Sequence, residues 1–315
     1  MLYCIQIMID LEDSMKRRRI LQAMGIVLSA VLTAAAILPI EKAVRDNSRW
    51  MERLSDDAPL NTLAIPGTHD SGALYSFAGI SGKCQSVPID QQLKMGVRFL
   101  DIRLKLVKNE LNVVHSFADQ KLSLTKVLED ITGFIRENPS EFLLVSFKED
   151  DSPVKSDVPF AARLEEVLSG YSEISGARTL PQSVGEARGR IFVLARYGDA
   201  SVGIPAYHGW QDSTSFTLNG MHIQDHYQLS DISDKQDDIL AAMDTAASGK
   251  HSLVLNFTSC YLNHGFPPVS AAAPARKINP WLTETCTSAK LCRGIFVCDF
   301  ITSDLATAMI ERNFS

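Results

Sequence analysis

Eight short runs rich in Val, Ile, Leu and Phe, spread over residues 61 to 300, limit what this chain can fold into more than any other feature. They are NTLAI (61–65), VRFLDIRL (97–104), LNVVH (111–115), FLLVSFK (142–148), RIFVLAR (190–196), MHIQDHY (221–227), SLVLNFTS (252–259) and GIFVCDF (294–300). Runs of this length and composition read as strands. Helix-like stretches separate several of them: PIDQQLKM (88–95), LTKVLEDITGFIREN (124–138), FAARLEEVLSG (160–170), DISDKQDDILAAMDTAA (231–247) and SDLATAMIERN (303–313), the last with Ser303 as its N-cap. Strands alternating with helices make a parallel sheet, and eight of them predict an α/β fold, an irregular (β/α)8 barrel of TIM type in a single domain. The irregularity falls between the second and third runs, whose separation is too short for a crossover helix.

The polar residues gather at the ends of these runs. His69 follows the first, Arg103 lies late in the second, His115 ends the third and Lys148 the fourth; Arg196 ends the fifth, Asp225 and Tyr227 the sixth, and Asp299 comes late in the eighth. In such barrels the C-terminal ends of the strands build the site, so one mouth would collect two imidazoles, several carboxylates and three cations. Asp101 and Arg103, two apart in an otherwise apolar strand, share a face, where unpaired burial would be costly. A structural ion pair lining the barrel is the plainer reading of these two. In LAIPGTHDSG (63–72), His69 and Asp70 are neighbours whose side chains would point to opposite sides of an extended chain, so each is expected to have its own partner.

The first 50 residues differ from the rest. From Met15 the chain reads MKRRR, then an uncharged run from Ala23 to Ile40, then EKAVRDNSR, the three zones of an export signal. Residues 1–49 are therefore expected to be an export signal or an uncleaved anchor, with the true start at Met15 as an alternative, and residues 50–315 the folded domain, secreted or held outside the cytoplasm. Residues 1 to 50 hold 7 Lys+Arg and 5 Asp+Glu, which leaves 24 basic against 32 acidic residues beyond them. That balance disfavours a non-specific nucleic-acid binder. Of the five cysteines beyond the leader, CTSAKLC (286–292) and Cys260 with one of its neighbours are candidate bridges in an oxidising compartment, and no CxxC or His-rich spacing points to structural zinc.

Two histidines, each able to meet a carboxylate, suit a reaction that needs one base and one acid near neutral pH. An arginine between them complements a phosphate through its planar fork. The combination specifies phosphoryl transfer to an adjacent hydroxyl, with no metal and no cofactor required. A GxSxG elbow and a GxxxxGK[ST] nucleotide loop are both absent from the sequence.

From about Trp50 to the C-terminus the chain resembles the bacterial-type phosphatidylinositol-specific phospholipases C, the X-domain family. IPGTHDSG, GVRFLDIRL followed by VVH, the QDHY stretch, and VCDF with NPWL before it carry the resemblance as an ordered set. The resemblance implies that His69 is the general base, oriented by Asp299, and His115 the general acid, partnered by Asp70. Arg103 would bind the phosphate; Asp101 is counted with the substrate-binding residues, Lys148, Arg196 and Asp225 would bind inositol hydroxyls, and Tyr227 would face the sugar ring. The implied products are diacylglycerol and inositol 1,2-cyclic phosphate. Arg103 stands where calcium-dependent relatives carry a ligand carboxylate, and Asp70 where they carry Asn, so calcium independence is implied as well.

The partners implied are phosphatidylinositol or a glycosyl-phosphatidylinositol lipid and a membrane surface, with the chain acting as a monomer. ALYSFAGI (73–80) and YLNHGFPPVSAAAP (261–274) supply aromatic and small apolar residues among few charges, and Tyr75, Phe77 and Phe266 are the candidate membrane contacts. Burial in the core is the alternative for all three. Two rival functions stay open: a metal-dependent barrel phosphodiesterase acting on another glycerophospholipid or sphingolipid, and a catalytically silent inositol-lipid binding module.

Overall fold

A computed structural model describes residues 45–315 apart from 77–81, 117, 263–269 and 289–291. The chain divides into a unit of residues 1–44 and a unit of residues 45–315. The apolar run of the expected leader lies outside the described residues. Asn47 and Ser48, which the expected boundary assigns to the leader, belong with the second unit: the Asn47 side-chain amide donates to Met95 O at 3.1 Å, and Arg98 donates to both their carbonyls.

Nine strands frame the unit: β1 Ala64–Thr68, β2 Phe99–Val107, β3 Glu110–His115, β4 Ala118–Ser123, β5 Leu143–Glu149, β6 Ile191–Arg196, β7 Met221–Gln224, β8 Leu253–Phe257 and β9 Gly294–Cys298. Seven are parallel neighbours in the order β6-β5-β2-β1-β9-β8-β7, so the chain's first and last strands meet along β1 and β9. The curled sheet is an incomplete TIM-type barrel. Among the described residues no ladder joins β6 to β7; the short strand Ser215–Leu218 lies antiparallel on β7 and Ile204–Pro205 lies along β6.

Seven of the eight apolar runs are parallel staves. The third, LNVVH, instead forms β3, an antiparallel hairpin partner of β2 with Leu104 opposite Val113, because six residues allow a turn and not a crossover. Lys108 and Asn109 take positive φ at that turn, as a tight hairpin requires. β1 begins at Ala64, after a 3-10 turn at Leu60–Thr62, so the strand includes Pro66 and Gly67. Gly67 is there for contact: a Cβ would lie 3.0 Å from Phe99 Cβ and 3.1 Å from Phe296 O.

Among the described residues six helices of seven residues or more pack outside: α1 Ile89–Met95, α2 Leu124–Glu137, α3 Phe160–Leu168, α4 Ile232–Ala247, α5 Ala272–Ser288 and α6 Ser303–Glu311. Ser123 and Asp231 cap α2 and α4 by accepting backbone N–H groups. The cap of α6 is Thr302 and not Ser303, which is the first helical residue. α5 was not expected from sequence, since Pro280 stands within it and suppresses a helical reading.

Strand alternation divides the core in two. Leu100, Ile102 and Leu104 of β2 pack outward with the helices, while Phe99 joins Ile65, Leu194, Leu255, Phe257 and Val297 in the barrel interior. The same inward stripe continues from Phe99 through Asp101 to Arg103 at the mouth. At the opposite end Arg98, fully buried, donates to Glu141 Oε2 at 2.7 and 2.9 Å and to four backbone carbonyls, so this buried charge is paired and satisfied.

Candidate active site

The turn after β1 builds the site. Thr68 ends the strand, and Asp70 takes a left-handed backbone conformation, φ +43, where a non-glycine residue is strained. The chain therefore doubles back, and His69 and Asp70 both enter the mouth instead of diverging. Buried polar groups hold this conformation. Ser71 Oγ donates to Thr68 O at 3.0 Å and accepts Asp101 N–H at 2.8 Å, and Gln92 on α1 donates to Ser71 O at 2.8 Å. Gln85 donates to His69 O and Cys298 O, both at 2.8 Å, tying β1 to β9.

His69 bridges two charges. Its Nε2 lies 2.7 Å from Arg103 Nη2 and its Nδ1 lies 2.8 Å from Asp299 Oδ1. A guanidinium can only donate, so Nε2 is the lone-pair nitrogen and Nδ1–H donates to Asp299. Burial works most strongly against the charged imidazole, but the Asp299 carboxylate and its hydrogen bond outweigh it, and the pKa is raised.

Asp70 has a different environment. It is fully buried, and neither carboxylate oxygen has a hydrogen-bond partner; Oδ2 lies 3.5 Å from both Arg103 Nε and His115 Nε2. Burial pushes its pKa up to about 7, against the pull of Arg103. Burial, with Arg103 and His69 beside it, pushes His115 at the end of β3 down to about 4.

Arg103 sits at the centre. Its Nε also lies 3.3 Å from Asp101 Oδ2, and its Nη1 lies 3.8 Å from Asp150 Oδ1. Asp101, beneath it, accepts Ser146 Oγ at 3.2 Å and Arg196 Nη1 at 3.3 Å. Burial alone would raise the Asp101 pKa, but the two arginines hold it well below the carboxylate range. The ion-pair reading of Asp101 and Arg103 is therefore realised, inside a larger network that supports the mouth.

The remaining predicted residues lie around this centre. Lys148, the last residue but one of β5, donates to Asp150 Oδ1 at 2.5 Å. Arg196 ends β6, with its guanidinium carbon 3.6 Å above the Trp210 ring, and Trp210 Nε1 donates to Asp225 Oδ2 at 3.1 Å. Tyr227 stands further out, bonded to Asp212 at 2.5 Å and with its ring 5.8 Å from that of Tyr261. Tyr75 is 47% exposed, with Lys121 Nζ 4.9 Å over its ring. Phe77 and Phe266 lie outside the described residues.

Several site residues were not anticipated. Asp150 joins Arg103 and Lys148 and accepts Ser116 N–H at 2.8 Å, next to His115; only its place just past a strand end, in SFKED, could have marked it. Trp210 lies in a segment without a readable pattern. Lys235 on α4 is buried beneath QDHY, donating to Gln224 Oε1 at 2.9 Å and His226 O at 2.7 Å, and burial lowers its pKa to about 8. Cys84 Sγ lies among the relay groups, within 4.8 Å of ligand atoms of His69 and Asp299 and of Asp70 and His115. Of the candidate bridges, Cys286 and Cys292 have their sulfurs 3.1 Å apart, both as thiols.

The mouth of this barrel thus holds two imidazole–carboxylate pairs on either side of one arginine. Comparison with known proteins shows what the chain is similar to. The family model described as "Phosphatidylinositol-specific phospholipase C, X domain" matches residues 57–197. A Listeria monocytogenes protein named 1-phosphatidylinositol phosphodiesterase is 25% identical over 287 residues, 87% of each chain. One of the same name from Staphylococcus aureus is 28% identical over 267 residues, 75% of this chain and 82% of that one. The fold aligns with a mutant phosphatidylinositol-specific phospholipase C from S. aureus at a TM-score of 0.76 (23% identity, 86% of this chain and 99% of that one). It aligns with the L. monocytogenes phospholipase at 0.69 (24% identity, 85% and 98%). Over residues 57–197 the chain is similar to the phosphatidylinositol-specific phospholipase C X-domain family, and over most of its length to bacterial proteins named 1-phosphatidylinositol phosphodiesterase.

Proposed function

We propose that this protein is a phosphatidylinositol phospholipase C that releases diacylglycerol and inositol 1,2-cyclic phosphate without a metal ion. The observation that carries the reading is the double engagement of His69, with Nδ1–H on Asp299 at 2.8 Å and Nε2 against Arg103 at 2.7 Å. Asp299 fixes the tautomer, and the nitrogen left as acceptor faces the phosphate-binding group. Two relatives named 1-phosphatidylinositol phosphodiesterase supply the substrate class.

In the resting site Arg103 covers the base. An entering phosphodiester draws the guanidinium onto its own oxygens, which frees Nε2 to take the proton of the inositol 2-hydroxyl. That oxygen attacks phosphorus, Arg103 offsets charge on the equatorial oxygens, and the Asp70–His115 pair returns a proton to the glycerol oxygen as the bond to it breaks. Lys148, Arg196 and Asp225, held by Asp150 and Trp210, are placed to bind inositol hydroxyls, with Tyr227 at the rim. Arg103 carries the charge stabilisation that a cation would otherwise supply.

The substrate lies in a membrane, and one solved structure of the S. aureus enzyme is described as concerning modulation of its membrane binding. Exposed Tyr75, directly after the histidine turn, is the described residue best placed for that contact. We read the protein as exported by residues 1–49 and acting as a monomer; N-terminal analysis of the secreted product and light scattering check both.

Phosphorus NMR with phosphatidylinositol vesicles in EDTA tests the central reading. Cyclic inositol phosphate is expected from the intact protein and not from His69→Ala. Silence in EDTA followed by turnover on adding calcium would transfer the role of Arg103 to a cation. Binding to the vesicles without turnover in either buffer would favour the silent lipid-binding module.

A further inference from the structure

Cys84 is absent from the reaction above, yet its sulfur lies among the relay groups. The residue is buried, and its backbone is held at both ends, Cys84 N–H donating to Ala73 O at 2.9 Å and Phe300 N–H donating to Cys84 O at 2.7 Å. Cys84 Sγ, one Asp70 oxygen and one His115 nitrogen lie within 4.8 Å of one another. Asp70 Oδ2 and His115 Nε2 are 3.5 Å apart. Two ligands of a tetrahedral zinc ion with bonds of about 2.0–2.2 Å stand about 3.4 Å apart, so that pair already has the spacing of a ligand edge. Asp70 is a fully buried carboxyl with no hydrogen-bond partner on either oxygen, directed at this spot.

We infer that Asp70, Cys84 and His115 form a binding site for a thiophilic divalent cation of the zinc class, and that the ion's occupation switches the enzyme off. A thiolate, an imidazole and a carboxylate are a donor set for such an ion, with a water in the fourth position. The alternative set, His69, Cys84 and Asp299, is less available: His69 Nδ1 is already bonded to Asp299 and His69 Nε2 to Arg103, and an ion would have to break at least one of these bonds. At Asp70 it breaks no hydrogen bond to the carboxylate. Arg103 opposes a dication there, while Asp101 and Asp150 next to it favour one. The His115 side chain is 27% exposed and offers a route in from the mouth.

Binding is a proton exchange. The ion takes the Cys84 sulfur as thiolate, Asp70 as carboxylate and His115 as neutral imidazole, and the thiol proton and any proton on Asp70 pass to solvent, so affinity rises with pH. Once its nitrogen and the Asp70 oxygen are coordinated, the pair has no proton to give the leaving group. The inhibition rests on the reading of that pair as the acid; the binding does not.

The test titrates the metal-free, reduced full-length chain with Cd2+ and follows thiolate-to-metal charge-transfer absorption. One equivalent bound by the wild type, lost in Cys84→Ser, weakened about 100-fold in Asp70→Asn and intact in a Cys286→Ser/Cys292→Ser double variant, is the expected result. An unchanged band in Cys84→Ser would overturn the site. Cadmium NMR of the wild type gives the answer without a variant, since a shift for one sulfur with nitrogen and oxygen is expected and a two-sulfur shift would move the ion to the Cys286 pair. In phosphatidylinositol turnover, Zn2+ should inhibit the wild type reversibly to chelator, with Cys84→Ser needing about 100-fold more. Binding at Cys84 without inhibition would overturn the off-switch, and absence of turnover altogether would leave the cadmium result standing while refuting the proposed function.

Discussion

Asp70 Oδ2 stands 3.5 Å from His115 Nε2, and burial drives both groups toward their neutral forms, the carboxyl up to about 7 and the imidazole down to about 4. Near pH 6 the pair holds one proton, on Asp70. That proton is available to a leaving group only below about pH 7, whereas His69, with its pKa raised by Asp299, must be unprotonated to act as base. The expected pH profile of kcat/KM is a narrow bell, its acid limb set by His69 and its alkaline limb by the pair as a unit. In Asp70→Asn only His115 remains to carry the proton, so the alkaline limb should move to lower pH. A limb that stays in place would exclude the pair as the acid.

The same burial has a stability consequence. The folded pKa of Asp70, about 7, lies above the unfolded value of about 3.9. A raised pKa of this kind contributes stability fully below pH 4, and the contribution is lost as pH climbs through 7. Replacing Asp70 with Asn removes the buried charge, and the variant should melt higher than the wild type by an amount that grows from pH 4 to pH 8, reaching about 1–3 kcal/mol. Differential scanning calorimetry at the two pH values reads it. A constant difference would show that Asp70 does not change ionisation on folding.

Arg103 meets His69, Asp70, Asp101 and Asp150 through three different nitrogens. Lysine can keep the charge there but not the planar fork. Arg103→Lys should therefore fold with little change in melting temperature and lose about 10²–10³ in kcat, the size of effect seen when one oriented donor to a developing charge is removed. A loss under tenfold would mean that the fork is not what stabilises the transition state.

Much of the barrel was legible because parallel strands buried on both faces read as continuous apolar runs, and seven of the eight runs are staves. Site residues at the ends of those runs were legible for the same reason, since a strand end locates a charge without further information. LNVVH was counted among the eight runs, and the short gap before it marked the place as irregular; its antiparallel pairing with β2 was not legible, because hydrophobicity does not encode pairing direction. Asp70 was read from an extended chain, and its left-handed φ, which turns it into the same mouth as His69, is held by Ser71 and Gln92 through contacts that no local pattern records. Helix α5 was hidden by Pro280, although it carries Asn279, whose amide donates to Asp299 O at 2.9 Å and Phe300 O at 3.0 Å and so holds the turn beneath the His69 partner.

Trp210 shows what an unpatterned segment can contribute. Its ring lies 3.6 Å beneath the Arg196 guanidinium carbon and its Nε1 donates to Asp225 Oδ2 at 3.1 Å, so one indole orients two residues proposed to bind inositol. A cation over a partly desolvated indole is worth about 1–2 kcal/mol. Trp210→Leu removes that contact and the hydrogen bond together, while leaving His69, Arg103 and His115 untouched. KM for a soluble phosphatidylinositol should rise about 10-fold with kcat changed less than about 3-fold, the pattern of an interaction made equally in ground and transition states. Trp210→Phe keeps an aromatic face but not the N–H, and should recover the part of KM that belongs to Arg196. If kcat falls as far as kcat/KM instead, Trp210 orients its two partners for the transition state and not for binding alone.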